Sequence, residues 1–210
     1  MHIHRWIEQN IPKNGIVIEA GSWDGSDTWF FTQHLTNGKV YSFEPFPEFY
    51  YKTCQRLYGC PNVEVSHYAL AEKSEPYTLY ISERNGESWC SNSILKPKDH
   101  LTVHPSITFD KKIEVQGINL DDWLEEKKVP RIDMIWLDIQ GAEASVLKAA
   151  PKLLSITKYL YTEVSLVETY EGVPLYNEYK AFLESKGFEL VHEELPYKDM
   201  GDALFRNKNL

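Results

Sequence analysis

The chain's 210 residues, 42% of them hydrophobic and 25% charged, suffice for one globular domain with a real core. No run approaches the roughly 18 apolar residues that cross a bilayer. A net charge of −9 without a basic stripe argues against long nucleic acid, and Cys54, Cys60 and Cys90 are too scattered for a disulfide framework or a zinc site. The expectations are a neutral, cationic or small substrate, no membrane partner and no metal. The opening Met-His-Ile-His-Arg-Trp lacks an apolar leader core, which points to the cytoplasm and reduced thiols.

Strand-like runs alternate with helix-like ones, the pattern of a mostly parallel sheet covered by helices. The spacing predicts strands at Ile16–Ala20, Val40–Phe43, Val63–Tyr68, Met134–Ile139 and Tyr159–Val164. Helices are predicted at Ser26–Leu35, Glu48–Tyr58, Leu120–Lys127 and Ala142–Ala149, with a last one at Leu175–Lys186 that stops at Gly187. Phe188–His192 and Ala203–Arg206 read as a terminal antiparallel pair. From Glu72 to Gln116 the alternation breaks. Tyr77–Ile81 and Ile113–Gln116 flank a Ser/Asn/Gly/Pro-rich stretch, read as an inserted hairpin and long loop in an otherwise single domain spanning 1–210.

Two carboxylates organise the first third. Ile16–Ile18 runs into Glu19, a turn follows from Gly21 through Ser22 to Gly25, and the next strand ends at Glu44. An open α/β sheet holds a nucleoside this way, with bare backbone at the turn and an acid at the next strand tip for the ribose hydroxyls. Trp23 stands where a dinucleotide site needs glycine, and Asp24 puts negative charge where a phosphate would bind. Both disfavour NAD and FAD. Both suit S-adenosylmethionine, which has no phosphate and carries a sulfonium cation and an amino group.

A third acid, Asp138, ends the strand of Arg131-Ile-Asp-Met-Ile-Trp-Leu-Asp-Ile-Gln-Gly-Ala-Glu143. It faces the same crevice or caps the following helix, and the two roles can coexist. Glu143 in the first helical turn suits the helix dipole equally well as a site.

In order, Ile-Glu-Ala-Gly-Ser-x-x-Gly, Ser-Phe-Glu-Pro, Asp-Asp-Trp-Leu, Leu-Asp-Ile-Gln-Gly-Ala-Glu and Asp-Ala-Leu-Phe resemble the FkbM family of S-adenosylmethionine-dependent methyltransferases across Gly15 to Arg206. The resemblance implies a class I methyltransferase fold, a Rossmann-like three-layer sandwich on a seven-stranded, mostly parallel sheet. It also implies methyl transfer to a hydroxyl of a sugar, glycan or small metabolite. Glu19 takes the place of the first acid, and Gly21 and Gly25 line the methionine end, with Ser22 beside them. Glu44 holds the ribose, Pro45 and Phe46 flank the adenine, and Ala69 is a further cofactor contact. Asp138 falls near the reactive methyl, as cofactor contact and first candidate for the base. The chain departs from the family with Glu19 for aspartate, Trp23 for asparagine and Gln140 for glutamate.

His67, at the end of the third strand, is the second candidate base, with His100 and His104 behind it. Ser91-Asn92-Ser93 resembles a polar segment of the family's loop and can orient a hydroxyl. Trp23 and Trp89 are candidate plates for a sugar ring, and Glu163 can reach the crevice. N-methylation, a nicotinamide oxidoreductase and a module that has lost turnover are the rival readings.

Overall fold

The computed structural model describes residues 2–210. Helix α1 (Ile3–Asn10) precedes β1 (Ile16–Ala20), α2 (Ser26–His34), β2 (Lys39–Phe43), α3 (Pro47–Arg56) and β3 (Val63–Ser66). The inserted region holds β4 (Ala69–Leu70), β5 (Pro76–Arg84), β6 (Glu87–Ser88), α4 (His100–Val103) and β7 (Ile107–Ile118). Then come α5 (Leu120–Lys127), β8 (Ile132–Leu137), α6 (Glu143–Lys148), α7 (Pro151–Ser155), β9 (Thr157–Ser165), α8 (Tyr176–Ser185), β10 (Phe188–Glu194) and β11 (Met200–Asn207).

Seven strands form one sheet in the order β10-β11-β9-β8-β1-β2-β3. The five from β9 to β3 run parallel, and β11 lies antiparallel to both β9 and β10. From β1 the chain winds outward one way through β2 and β3, then returns to β8 on the other side. The carboxyl ends of β1 and β8 therefore flank the switch point, where an open sheet leaves a crevice. Apolar side chains cover both faces. Ile7 of α1 and Phe31 of α2 pack with Val17, Val40 and Met134 on one, and Leu120, Trp123, Leu147 and Leu183 pack with Ile18, Ile135 and Leu160 on the other. This is the expected three-layer, seven-stranded architecture.

The boundaries differ where tertiary contacts outweigh local pattern. Strand β3 ends at Ser66, two residues early, and the chain turns so that Ala69–Leu70 can pair with Gly117–Ile118 instead. The predicted helix at 142–149 is followed by a separate turn of helix, because Pro151 cannot continue it and opens α7. Helix α1 was not predicted, although Ile3, Ile7 and Ile11 recur at helical spacing and Ile7 is fully buried. The insertion is more ordered than a hairpin and loop. Strands β5 and β7 pair over eight register partners and join β4 and β6 in a second, four-stranded sheet. A bridge from Tyr80 to Ser93 folds residues 90–94 back from it toward the crevice.

Candidate active site

A cavity of about 340 Å³ opens at the switch point, between the turn after β1, the tip of β2, the segment 90–94 and the ends of β8, β9 and β11. Its floor is set by Gly21, whose amide donates to the Phe43 carbonyl (3.0 Å), while the Asp138 amide donates to the Ala20 carbonyl (3.1 Å). Gly21 has φ +84°, and a Cβ there would stand 1.8 Å from the Asp138 carbonyl oxygen. Only glycine fits. Trp23 also lies in the left-handed region, at φ +48°, which turns its ring outward to 44% exposure at the cavity rim.

The Glu44 carboxylate ties this turn to β2. Its Oε2 accepts from the Trp23 amide (3.0 Å) and its Oε1 from the Phe46 amide (2.9 Å). Glu19 lies beneath the wall rather than in it, where its Oε2 accepts from Thr28 Oγ1 (2.7 Å) and Ser42 Oγ (2.8 Å). Burial raises Glu44 to about 8 and Glu19 to about 7, against an ordinary value of 4.5.

Asp138 is open to the cavity on one side and enclosed by protein on the others, and that enclosure raises its pKa. Gln140 clamps it. The side-chain amide donates from Nε2 to Asp138 Oδ1 (2.6 Å) and to Glu163 Oε2 (3.2 Å), while Oε1 lies 3.1 Å from the Tyr170 hydroxyl. Ser93 Oγ donates to the Gln140 carbonyl (2.7 Å), and Tyr170 also reaches the Ser91 carbonyl (2.9 Å), so the inserted segment is pinned over the end of β8. Gln140 holds φ +54°, an unfavourable backbone kept in place by these bonds. A neutral amide can donate to two acids at once. Glu143 instead accepts the Ile139 amide (2.8 Å) and fixes the turn, and burial raises it to about 8.

The cavity gathers Gly21, Ser22, Glu44, Pro45, Ala69 and Asp138 from the residues singled out in the sequence. Others, besides Glu19, lie elsewhere. A Cβ on Gly25 would meet Thr53 of α3 at 3.1 Å, so this glycine serves helix packing rather than the cavity wall. Phe46 packs edge-on against Phe49, and it is Phe49 that lines the cavity. His67 is exposed and stacked on Tyr50 (4.6 Å) away from the cavity, because the chain leaves β3 at Ser66. His100 is buried among aromatic rings, and His104 bonds Asp199 (2.7 Å). Trp89 lies under the Arg84 guanidinium, outside the wall. Sequence reasoning missed Asp27, Trp136, Tyr161 and Asp202, all of them in the wall. Trp136 and Tyr161 read as ordinary apolar strand residues, and Asp202 fell one residue before the predicted last strand. Only strand order reveals that the ends of β8 and β9 lie beside the start of β11.

The wall holds Asp24, Asp27, Glu44, Asp138 and Asp202 but no lysine, arginine or histidine. Asp24 Oδ1 accepts the Ser26 amide (3.0 Å) at the start of α2, and Asp24 Oδ2 accepts from Arg56 (2.8 Å), so a carboxylate already fills the place of a phosphate. Among the described residues, no group of three or more His, Cys, Asp or Glu side chains is arranged to hold a metal ion.

The buried acids predict a stability profile. Unfolded, Glu19, Glu44 and Glu143 lose their protons near 4.5; folded, they hold them to about 7 or 8. Between those values the folded state binds more protons, so its stability is greatest below the unfolded value and falls as pH rises. The ligand-free Tm should drop between pH 5.5 and 8.5. A flat or rising Tm would show that these acids are already ionised in the fold.

The sequence model for the methyltransferase FkbM domain matches residues 14–190. The chain belongs to the FkbM methyltransferase family. It is 32% identical to the 2-O-methyltransferase NoeI of Sinorhizobium fredii over 216 residues, covering all of this chain and 87% of that protein. Among solved structures, the N-terminal domain of EvdMO1, in the presence of SAH and D-fucose, matches with TM-score 0.54 at 12% identity, covering 98% of this chain and 80% of that one. Fibrillarin from Aeropyrum pernix, with S-adenosyl-L-methionine natively bound, matches with TM-score 0.55 at 10% identity, covering 93% of this chain and 68% of that one. These likenesses show a class I methyltransferase fold. As an FkbM methyltransferase the chain is an enzyme, and its cofactor is S-adenosylmethionine. The cavity wall suits that cofactor, with a glycine-only floor at Gly21 and acids but no cationic side chain among its lining residues, for a sulfonium and an amine.

Proposed function

We propose that this FkbM methyltransferase methylates a hydroxyl oxygen of a sugar, glycan or small metabolite, with Asp138 receiving the hydroxyl proton. The observation that carries this reading is Asp138 itself, a carboxylate of raised proton affinity held by Gln140 and open to the cavity. The likeness to a 2-O-methyltransferase along the whole chain supports oxygen as the acceptor atom. In this reading the chain works as one domain in the cytoplasm, for which its three free cysteines give modest support.

Gly21 and Ser22 lie along the methionine end of the cofactor, Glu44 takes the ribose hydroxyls, and Pro45 and Ala69 border the adenine. Glu19 acts indirectly, keeping Thr28 and Ser42 in place beneath the turn. The bound cofactor supplies a sulfonium methyl, whose transfer to a hydroxyl oxygen leaves a neutral thioether and frees the hydroxyl proton. Asp138 orients that hydroxyl by accepting its hydrogen bond, and its free carboxylate oxygen takes the proton. Gln140 keeps Oδ1 occupied, and the inserted segment 90–94 excludes water from one side.

The test is calorimetric titration with S-adenosylmethionine, followed by turnover of hydroxylated acceptors. Glu44→Gln, which removes charge but little volume, should weaken cofactor binding by about tenfold, roughly 1.4 kcal/mol. Affinity of the unsubstituted enzyme should rise as pH increases to about 8, where Glu44 ionises, and this rise should shrink in the variant. Binding indifferent to Glu44 would remove it from the ribose site.

A further inference from the structure

The cavity continues past Asp138 over the ends of β8, β9 and β11, and the cofactor contacts proposed above use none of that part of its wall. Trp136 and Tyr161 are register partners on β8 and β9, with ring centroids 4.3 Å apart and planes tilted by 43°. Phe31 packs edge-on against Trp136 at 5.7 Å and holds the indole in place. Asp202 on β11 and Asp27 on α2 line the same wall as Tyr161. Across the cavity stands Asn92. Its Oδ1 accepts from the Ser82 amide (2.8 Å) and Ser82 Oγ (3.1 Å), which fixes the amide's orientation. Its Nδ2 is buried and has no hydrogen-bond partner. A buried donor without an acceptor is costly unless a ligand supplies one.

These groups have a common chemistry. Aromatic faces pack against the C–H faces of a ring, carboxylates accept hydrogen bonds from hydroxyls or ammonium groups, and an amide donates to a ring or hydroxyl oxygen. With no cation in the wall, a phosphate, sulfate or carboxylate on the acceptor would face like charge from Asp27, Asp138 and Asp202 in a partly desolvated site. Arg56 is paired with Asp24, and His4 with Asp27.

We infer that Trp136, Tyr161, Asp202 and Asn92 form the acceptor subsite, and that it takes a neutral or amino sugar rather than a phosphorylated or nucleotide-linked one. This rests on the proposed methyl transfer and narrows it. The enzyme would then act on a sugar that is free or already glycosidically linked, and the reaction supplying its acceptor must have removed any activating phosphate.

Saturation-transfer NMR on the full chain loaded with S-adenosylhomocysteine tests this, with D-fucose, D-glucosamine, their methyl glycosides, the corresponding sugar 1-phosphates and a nucleotide sugar as probes. At least one neutral or amino sugar should give a signal, and each phosphorylated counterpart should bind at least tenfold more weakly. Trp136→Ala should abolish that signal. Asp202→Asn and Asn92→Ala, which disturb less packing, should each weaken it at least fivefold without changing affinity for S-adenosylhomocysteine. Preferential binding of the phosphorylated sugars, silence from every probe, or indifference to all three substitutions would overturn the subsite. Calorimetry with S-adenosylhomocysteine on the same sample separates the two levels. If it binds and the sugar arms fail, the subsite alone is wrong; if it does not bind, the methyl-transfer site itself is wrong.

Discussion

Asp138→Asn should lower kcat by about 10²–10⁴-fold while leaving S-adenosylmethionine affinity within a few-fold, because the amide keeps the shape but cannot take a proton. The carboxyl sits where proton affinity is useful. Burial raises it, the Gln140 amide on Oδ1 limits the rise, and the nearby Asp27 charge adds to it, so its basicity responds to Gln140. Gln140→Glu makes the dependence measurable. It replaces a donor shared between Asp138 and Glu163 with a third acid, so the pH profile of kcat should move to higher pH as Asp138 holds its proton longer. A merely structural role for Gln140 would lower stability without moving the profile. Turnover of Asp138→Asn within tenfold of the parent enzyme would take the base role away from Asp138.

Gly21→Ala should abolish measurable cofactor binding, a loss of at least a hundredfold, and destabilise the fold by about 3 kcal/mol or more through strain and overpacking together. The new methyl would lie 1.8 Å from the Asp138 carbonyl oxygen, and neither backbone can retreat easily. Residue 21 is tied to β2 through Phe43 and the end of β8 to β1 through Ala20. Gly172→Ala is the control. It has a similar φ of +79° but nothing within 4 Å of the added carbon, so it should cost only about 1 kcal/mol and leave binding intact. If Gly21→Ala behaved like Gly172→Ala in denaturant melts and in calorimetry, the close approach of β1 and β8 would not be what shapes the site.

Much of this was legible in the sequence because it depends on short-range pattern. Runs such as Ile16–Ala20 and Met134–Ile139 read as buried strands, and acids placed at strand tips mark the crevice side of an open sheet. The resemblance to the FkbM family added the order of the blocks. What escaped depends on contacts between distant segments. Gly25 reads as a site glycine, yet Thr53, remote in sequence, decides its role. His67 reads as the tip of a strand, yet the pairing of Ala69–Leu70 with β7 turns the chain two residues earlier and leaves the imidazole outside. Trp136, Tyr161 and Asp202 lie on three strands whose adjacency reflects sheet order, which no local pattern encodes. Of the second sheet, the pairing of Tyr77–Ile81 with Ile113–Gln116 was legible as a hairpin, whereas β4 and β6, which join it through contacts outside those runs, were not.

The most direct test supplies the enzyme with S-adenosylmethionine carrying a ¹³C methyl, together with neutral and amino sugars, and locates the label in the product by NMR. The account predicts a methyl ether, formed by the parent enzyme and lost in Asp138→Asn. Label on nitrogen, or ether formation that survives the loss of Asp138, would contradict it.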